Sequence, residues 1–242
     1  MLLVLKTYYS MNIIPISFLY NAPIIPGVVT TDLVMYLDAG IGASYPGSGT
    51  TWTDITYNGF DGTLVNGPTY SSANGGSILF DGSDDSVSTT FNSNLEDFTI
   101  CCWFKATDSS MGAYTRLMDK DFANGFWLGK DANNANSWGG GIKEPSPPFG
   151  IFLSLTDGQW NFITSIREST THTLYGNGIA NTTSNTVDGS PLDPTSLLIG
   201  QYIGGFGYNF NGNVALVQVY NRALTSTEVL QNYDATKARF GY

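Results

Sequence analysis

Asp157-Gly158-Gln159-Trp160-Asn161-Phe162-Ile163-Thr164-Ser165-Ile166-Arg167-Glu168-Ser169-Thr170-Thr171-His172-Thr173-Leu174-Tyr175-Gly176-Asn177-Gly178 is the stretch that decides the fold. Asp157-Gly158 signals a turn, after which Trp160, Phe162, Thr164 and Ile166 share one face at the two-residue period of a strand. A polar break from Glu168 to Thr171 precedes a short strand through Leu174 and Tyr175. Asn177-Gly178 is the dipeptide favoured in a two-residue type I′ hairpin, whose central residues both need positive φ.

Flanking segments carry the same grammar. Downstream, Leu198-Ile199-Gly200 leads into a glycine- and aromatic-rich loop with Tyr202, Phe206 and Tyr208. Asn211-Gly212 then turns into the apolar run Val214 to Tyr220, followed by Asn221-Arg222-Ala223-Leu224. Upstream, Ile78-Leu79-Phe80-Asp81-Gly82 and Phe98-Thr99-Ile100-Cys101-Cys102-Trp103-Phe104 read as strands. In this order the four segments resemble laminin-G-like domains of the concanavalin A-like jelly-roll superfamily, over about residues 32–234. The resemblance implies an all-β fold: an antiparallel two-sheet jelly-roll sandwich with a short C-terminal helix and an N-terminal extended arm. It implies no chemistry, because that fold hosts lectins, glucanases, adhesion modules and virus particle proteins alike.

Composition agrees. Of 242 residues, 12% are charged, 14% are aromatic and 28 are glycine, a profile of many strands joined by tight turns. The net charge of −10 argues against a nucleic-acid partner, which needs clustered lysine and arginine. Adjacent Cys101 and Cys102 fall in one strand, where successive side chains point to opposite faces, so they are expected as two thiols.

The chain divides into an arm, 1–29, and a sandwich domain, 30–242. The arm is apolar at Leu2 to Leu5 and Ile13 to Ile25 but is broken by Lys6, Pro15, Asn21 and Pro23. Neither a membrane span nor a signal peptide is expected from that pattern. Leu3, Ile13, Ile14 and Phe18 are the expected contacts to neighbouring subunits, with folding back as an edge strand the alternative. At the other end, Thr225-Ser226-Thr227-Glu228 is a capping box opening a helix with Val229, Leu230 and Tyr233 on its apolar stripe.

Catalytic patterns are sparse. Laminarinase-like relatives of this fold carry Glu-x-Asp-x-x-Glu on one strand, but here Glu96, Glu144, Glu168 and Glu228 each fall in a different element. The one histidine, His172, has no Gly-x-Ser-x-Gly elbow beside it. Asp81-Gly82-Ser83-Asp84-Asp85 gathers three carboxylates of the kind calcium takes, although self-bonded Asx turns explain them without a metal. Asn181-Thr182-Thr183 is a formal glycosylation sequon. Trp138, in a polar glycine-rich stretch, and Tyr202, Phe206 and Tyr208 are the candidate ligand-binding aromatics. Trp52, Trp103, Trp127 and Trp160 are assigned to the core.

These features point to a non-catalytic surface module with no required cofactor. The expected setting is a virus or phage particle, as a capsid decoration or fibre protein present in many copies and contacting glycans. A secreted carbohydrate-binding or adhesion domain is the alternative, and a glycoside hydrolase the third reading.

Overall fold

The structure is a computed structural model that describes residues 25–107, 114–121, 123–131, 134–143, 150–178, 181–205 and 207–242. Leu3, Ile13, Ile14, Phe18, Glu144 and Phe206 lie outside the described residues.

The strands are β1 (Leu33–Asp38), β2 (Thr51–Trp52), β3 (Gly62–Val65), β4 (Thr69–Ser71), β5 (Ser77–Asp81), β6 (Ser86–Thr89), β7 (Phe98–Ala106), β8 (Arg116–Lys120), β9 (Phe126–Lys130), β10 (Ser137–Ile142), β11 (Ile151–Ser154), β12 (Asn161–Glu168), β13 (Thr171–Gly176), β14 (Asn181–Thr186), β15 (Leu198–Ile199) and β16 (Asn211–Tyr220). They form two antiparallel sheets. The first runs β14-β13-β12-β7-β16-β5-β4, with β1 also on β16, and the second runs β11-β10-β9-β8-β15-β6-β3-β2. The long strand β16 serves two neighbours in turn, pairing β5 through Asn211–Val214 and β1 through Leu216–Tyr220. A bulge at Ala215 separates these halves on the β7 side, and the Ala39 amide caps it by donating to the Ala215 carbonyl at 2.9 Å.

Strand alternation builds two cores. Between the sheets lie Ile78, Phe80, Phe98, Ile100, Cys102, Phe104, Leu117, Leu128, Trp138 and Val217. On the outer face of the first sheet, Cys101, Trp103, Phe162, Leu216 and Tyr220 pack under helix α1 (Ser226–Thr236) and Phe240. Both cysteines are buried and free, facing opposite sides as strand geometry requires. Burial pushes the Cys101 thiol up to about 12, so it is inert as a nucleophile.

The capping box forms in both directions. Thr225 Oγ1 accepts from the Glu228 amide at 3.3 Å, and Glu228 Oε2 accepts from the Thr225 amide at 2.9 Å. Arg222 grips the same carboxylate at 2.7 Å. The helix buries Val229, Asn232 and Thr236, with Tyr233 stacked on Trp103 at 5.6 Å between centroids. Leu230 lies instead on a shallow outer groove with Gly27, Thr227 and Gln231. Asn232 Oδ1 accepts from the Val29 amide at 2.8 Å and so ties the last arm residues onto the domain.

Asn177-Gly178 differs in detail from a two-residue hairpin. Gly176 pairs with Asn181, so four residues rather than two separate the paired ends. The reason is that Asn177 continues the β12 ladder: its amide donates to the Phe162 carbonyl and its Oδ1 accepts from the Phe162 amide, both at 2.8 Å. The two-residue turn is Ser169-Thr170, closed by the Glu168–Thr171 pair, with Ser169 at φ 53°. Gly178 still needs glycine, since φ is +90° and a Cβ would stand 2.7 Å from Tyr233 Cδ1. Gly178→Val is therefore expected to destabilise the domain by more than ~1 kcal/mol. A melting temperature equal to the parent's would refute that account.

Candidate functional site

One bulge gathers an unusual group of side chains on the outer side of the second sheet, beneath a loop. The β8–β9 register slips between Arg116 and Met118, so Leu117 and Met118 both turn into the core. Arg116 and Asp119 are left on the outer side. On β9, Phe126 and Leu128 face inward and Trp127 therefore faces out. The Arg116 guanidinium lies over the Trp127 ring at 4.2 Å and within 5.7 Å of Tyr202 and 6.0 Å of Tyr208.

The loop from Gly200 to Phe210 supplies those tyrosines. Its ends are fixed because the Gly200 amide donates to the Leu117 carbonyl, the Phe210 amide to the Gly200 carbonyl, and Phe210 itself is in the core. The Arg116 amide donates to the Tyr208 carbonyl at 2.9 Å, which seats the loop on β8. Tyr202 and Tyr208 meet edge to face at 5.7 Å, and Tyr208 meets Tyr114 at 5.9 Å. Tyr114 is 43% exposed and Tyr202 and Tyr208 are half-buried, so the rings form a rim open to solvent.

Beneath the rim lies a buried ion pair. Arg116 Nε stands 3.3 Å from Asp119 Oδ2, and Arg116 Nη1 donates to the Tyr114 carbonyl at 2.9 Å. Burial raises the Asp119 carboxyl above the usual range despite the Arg116 charge and the Ile203 amide, which pull it down. Burial likewise lowers Arg116 against the opposing pull of Asp119.

The same loop reaches the acidic turn. Asn209 Nδ2 donates to the Ser83 carbonyl, and Gln201 Nε2 to Asn209 Oδ1 at 3.3 Å. Asp81, Asp84 and Asp85 bring oxygens within 4.8 Å of one another, a set able to hold a hard cation such as calcium. Two of those oxygens already serve the turn: Asp81 Oδ1 accepts from the Ser83 amide at 2.7 Å, and Asp85 Oδ2 from the Asp81 amide at 2.9 Å.

Of the aromatics singled out in the sequence, Tyr202 and Tyr208 come together here. Trp138 does not. It is fully buried between the sheets, 4.7 Å from Phe104, with Nε1 donating to Asp157 Oδ1 at 2.7 Å. Its polar surroundings misled because Ser137–Ile142 is a strand whose three glycines hide the alternation; Trp138, Gly140 and Ile142 share the inner face. Trp127, assigned to the core, is the tryptophan beneath the site, as alternation with Phe126 and Leu128 could have told. Asp119 stood out in the sequence only as one of two acids in Asp119-Lys120-Asp121, and Arg116 and Tyr114 carried no sequence signal.

Glu96 and Glu168 are exposed and Glu228 is held down to about 2 by Arg222. Ser165 Oγ and His172 Nε2 are 3.0 Å apart, but both are buried and His172 Nδ1 has no hydrogen-bond partner to orient the ring. Among the described residues no helix is long and apolar enough to cross a membrane.

Comparison with known proteins settles the family. Residues 81–230, more than half of the chain, match the family model described as the concanavalin A-like lectin/glucanases superfamily. The chain belongs to this superfamily. No curated protein matches it by sequence. Among solved structures, it is similar to the binding domain of Paraclostridial Mosquitocidal Protein 1, with TM-score 0.67 and 16% identity over 85% of this chain and 52% of that one. A Trypanosoma rangeli sialidase in complex with 2,3-difluorosialic acid gives TM-score 0.66 and 17% identity over 89% of this chain and 35% of that one. Domain 4 of AbnA, a GH43 extracellular arabinanase from Geobacillus stearothermophilus, in complex with arabinotriose, gives 0.59 and 14%, covering 85% of this chain and 98% of that one. The chain thus spans about half of the toxin domain and about a third of the sialidase. At these identities the likeness is one of fold.

Proposed function

We propose that this superfamily member is a non-catalytic surface module that binds glycans on the rim of Tyr114, Tyr202 and Tyr208. The observation that carries the reading is the partly exposed edge-to-face tyrosine set held over Arg116 and Trp127. Tyrosine offers an apolar face for a sugar ring and a hydroxyl for its edges, at little entropic cost. A fold shared with a toxin's binding domain and with an arabinanase domain in complex with arabinotriose supports it. Calorimetric titration of arabinotriose and other oligosaccharides is the test. Tyr208→Ala is expected to weaken binding about tenfold, since one stacked aromatic is worth ~0.5–1.5 kcal/mol beyond its buried area. EDTA should leave affinity unchanged, and β-glucans, agarose and alginate should release no reducing ends. Turnover abolished by a single carboxylate substitution would overturn the non-catalytic reading.

The particle setting is the second reading, in which many copies assemble through the arm and present the rim outward. It is favoured by the apolar runs Leu2 to Leu5 and Ile13 to Ile16 ahead of the sandwich strands. Deleting residues 1–24 should then reduce the mass seen by light scattering to one chain while the domain still melts cooperatively. An unchanged mass would count against assembly through Leu3, Ile13, Ile14 and Phe18, and would favour a free secreted or adhesion module.

A further inference from the structure

We infer that the tyrosine rim selects neutral sugars and rejects acidic ones, because the site's cation is consumed inside the protein while a cluster of carboxylates flanks the rim. The inference rests on the glycan reading above and adds the class of ligand.

Recognition of a sugar carboxylate calls for an accessible guanidinium or ammonium, best as a bidentate pair. Arg116 is the cation at this site, and it is 4% exposed. Its Nε is turned to Asp119, its Nη1 to the Tyr114 carbonyl, and one face of its plane is covered by Trp127. The tyrosines therefore already enclose a cation, and that cation is neutralised by a carboxylate with no exposed surface. Bringing a sugar carboxylate to it would require breaking a buried ion pair.

The surroundings add repulsion. Asn209, next to Tyr208 in the chain, is hydrogen-bonded to Ser83 within the Asp81–Asp85 turn. One Cα step of ~3.8 Å, two side chains and one hydrogen bond join the rim to this turn, which keeps these carboxylates within ~20 Å of it. That span lies inside the Debye length of ~30 Å at 0.01 M but exceeds the ~8 Å of physiological salt, so the field is felt chiefly at low salt. Asp81 and Asp84 are exposed, and the whole chain carries −10, so nothing in its net charge offsets them. A neutral oligosaccharide meets none of this field.

The experiment compares arabinotriose and a neutral lactose-based oligosaccharide with sialyllactose and an alginate trimer, by calorimetry in EDTA at 10 and 150 mM salt. EDTA keeps divalent cations from masking the carboxylates. The expected result is binding of a neutral probe, with the acidic probes at least tenfold weaker at 10 mM salt and the gap narrowing at 150 mM. The double variant Asp81→Asn, Asp84→Asn, whose amides can keep the turn's hydrogen bonds, should raise acidic-sugar affinity several-fold and leave neutral affinity as it was. Acidic probes that bind as tightly as neutral ones at 10 mM, or a ratio unmoved by the double variant, would overturn the inference. Failure of every probe to bind would instead sink the glycan reading on which it stands.

Discussion

Asp157→Ala is expected to cost about 3–5 kcal/mol, the range for stripping one partner from a buried ion pair. Asp157 Oδ2 stands 2.9 Å from Lys130 Nζ, and each side chain is only 4% exposed. The carboxylate also accepts from Trp138 Nε1 at 2.7 Å and from the Asn136 amide at 3.2 Å. Alanine deprives a buried ammonium of its counter-charge and an indole N–H of its acceptor together. At ~2–4 °C per kcal/mol for a chain of this size, the melting temperature should fall by at least ~6 °C. Asp157→Asn should fall between, keeping an acceptor for Trp138 but not the charge. Adding Lys130→Met to Asp157→Ala should recover part of the loss, since the stranded charge goes too. A loss below ~1 kcal/mol would show that the network is ornamental. The residue opens the Asp157-Gly158 turn from which the fold was first legible, so one carboxylate ends a strand connection and anchors the inter-sheet tryptophan.

The sequence was most readable where local chemistry and tertiary packing agree. The capping box at Thr225 and Glu228 needs four consecutive residues and nothing else, and it formed as expected. Strands β7, β12 and β16 read as near-continuous buried runs because both faces are covered, one by the opposite sheet and the other by α1 and its neighbours, whereas β5 alternates because Leu79 and Asp81 face solvent. Strands β10 and β14 are hard to read for opposite reasons. In β10 the inward positions are shared between Trp138, Gly140 and Ile142, and Gly140 has no side chain to mark the period. In β14, Asn-Thr-Thr-Ser-Asn-Thr has no apolar residue at all, which an edge strand with one free side tolerates. The site was half legible. Tyr202 and Tyr208 stood out in a glycine-rich loop, whereas Arg116 acquires its meaning only from a bulge and from a loop ninety or so residues away in sequence.

Acidification is expected to destabilise the domain through His172. The imidazole is fully buried on β13, opposite Arg167 on β12 and Asn185 on β14, with Nε2 facing Ser165 Oγ at 3.0 Å. Burial holds its pKa down to about 3, against ~6.5 in an unfolded chain. Above pH ~6.5 the ring is neutral in both states and contributes no pH dependence. Between ~6.5 and ~3 the unfolded chain takes up a proton that the folded one refuses, so stability falls as pH falls, by up to ~1.4 kcal/mol per unit. The loss approaches ~5 kcal/mol near pH 3, comparable to the whole stability of many domains. Asp119 works in the other direction, because a carboxyl raised by burial favours the folded state on acidification. The two slopes overlap between about pH 4 and 6.5, so the parent's curve alone would understate the histidine. The measurement is therefore a comparison of denaturant midpoints for the parent and His172→Gln from pH 7 to 4. The variant should lose stability less steeply than the parent below pH ~6, whatever its stability at pH 7. Parallel curves would mean that His172 takes its proton inside the folded sandwich, and that water reaches the β12–β13 interior.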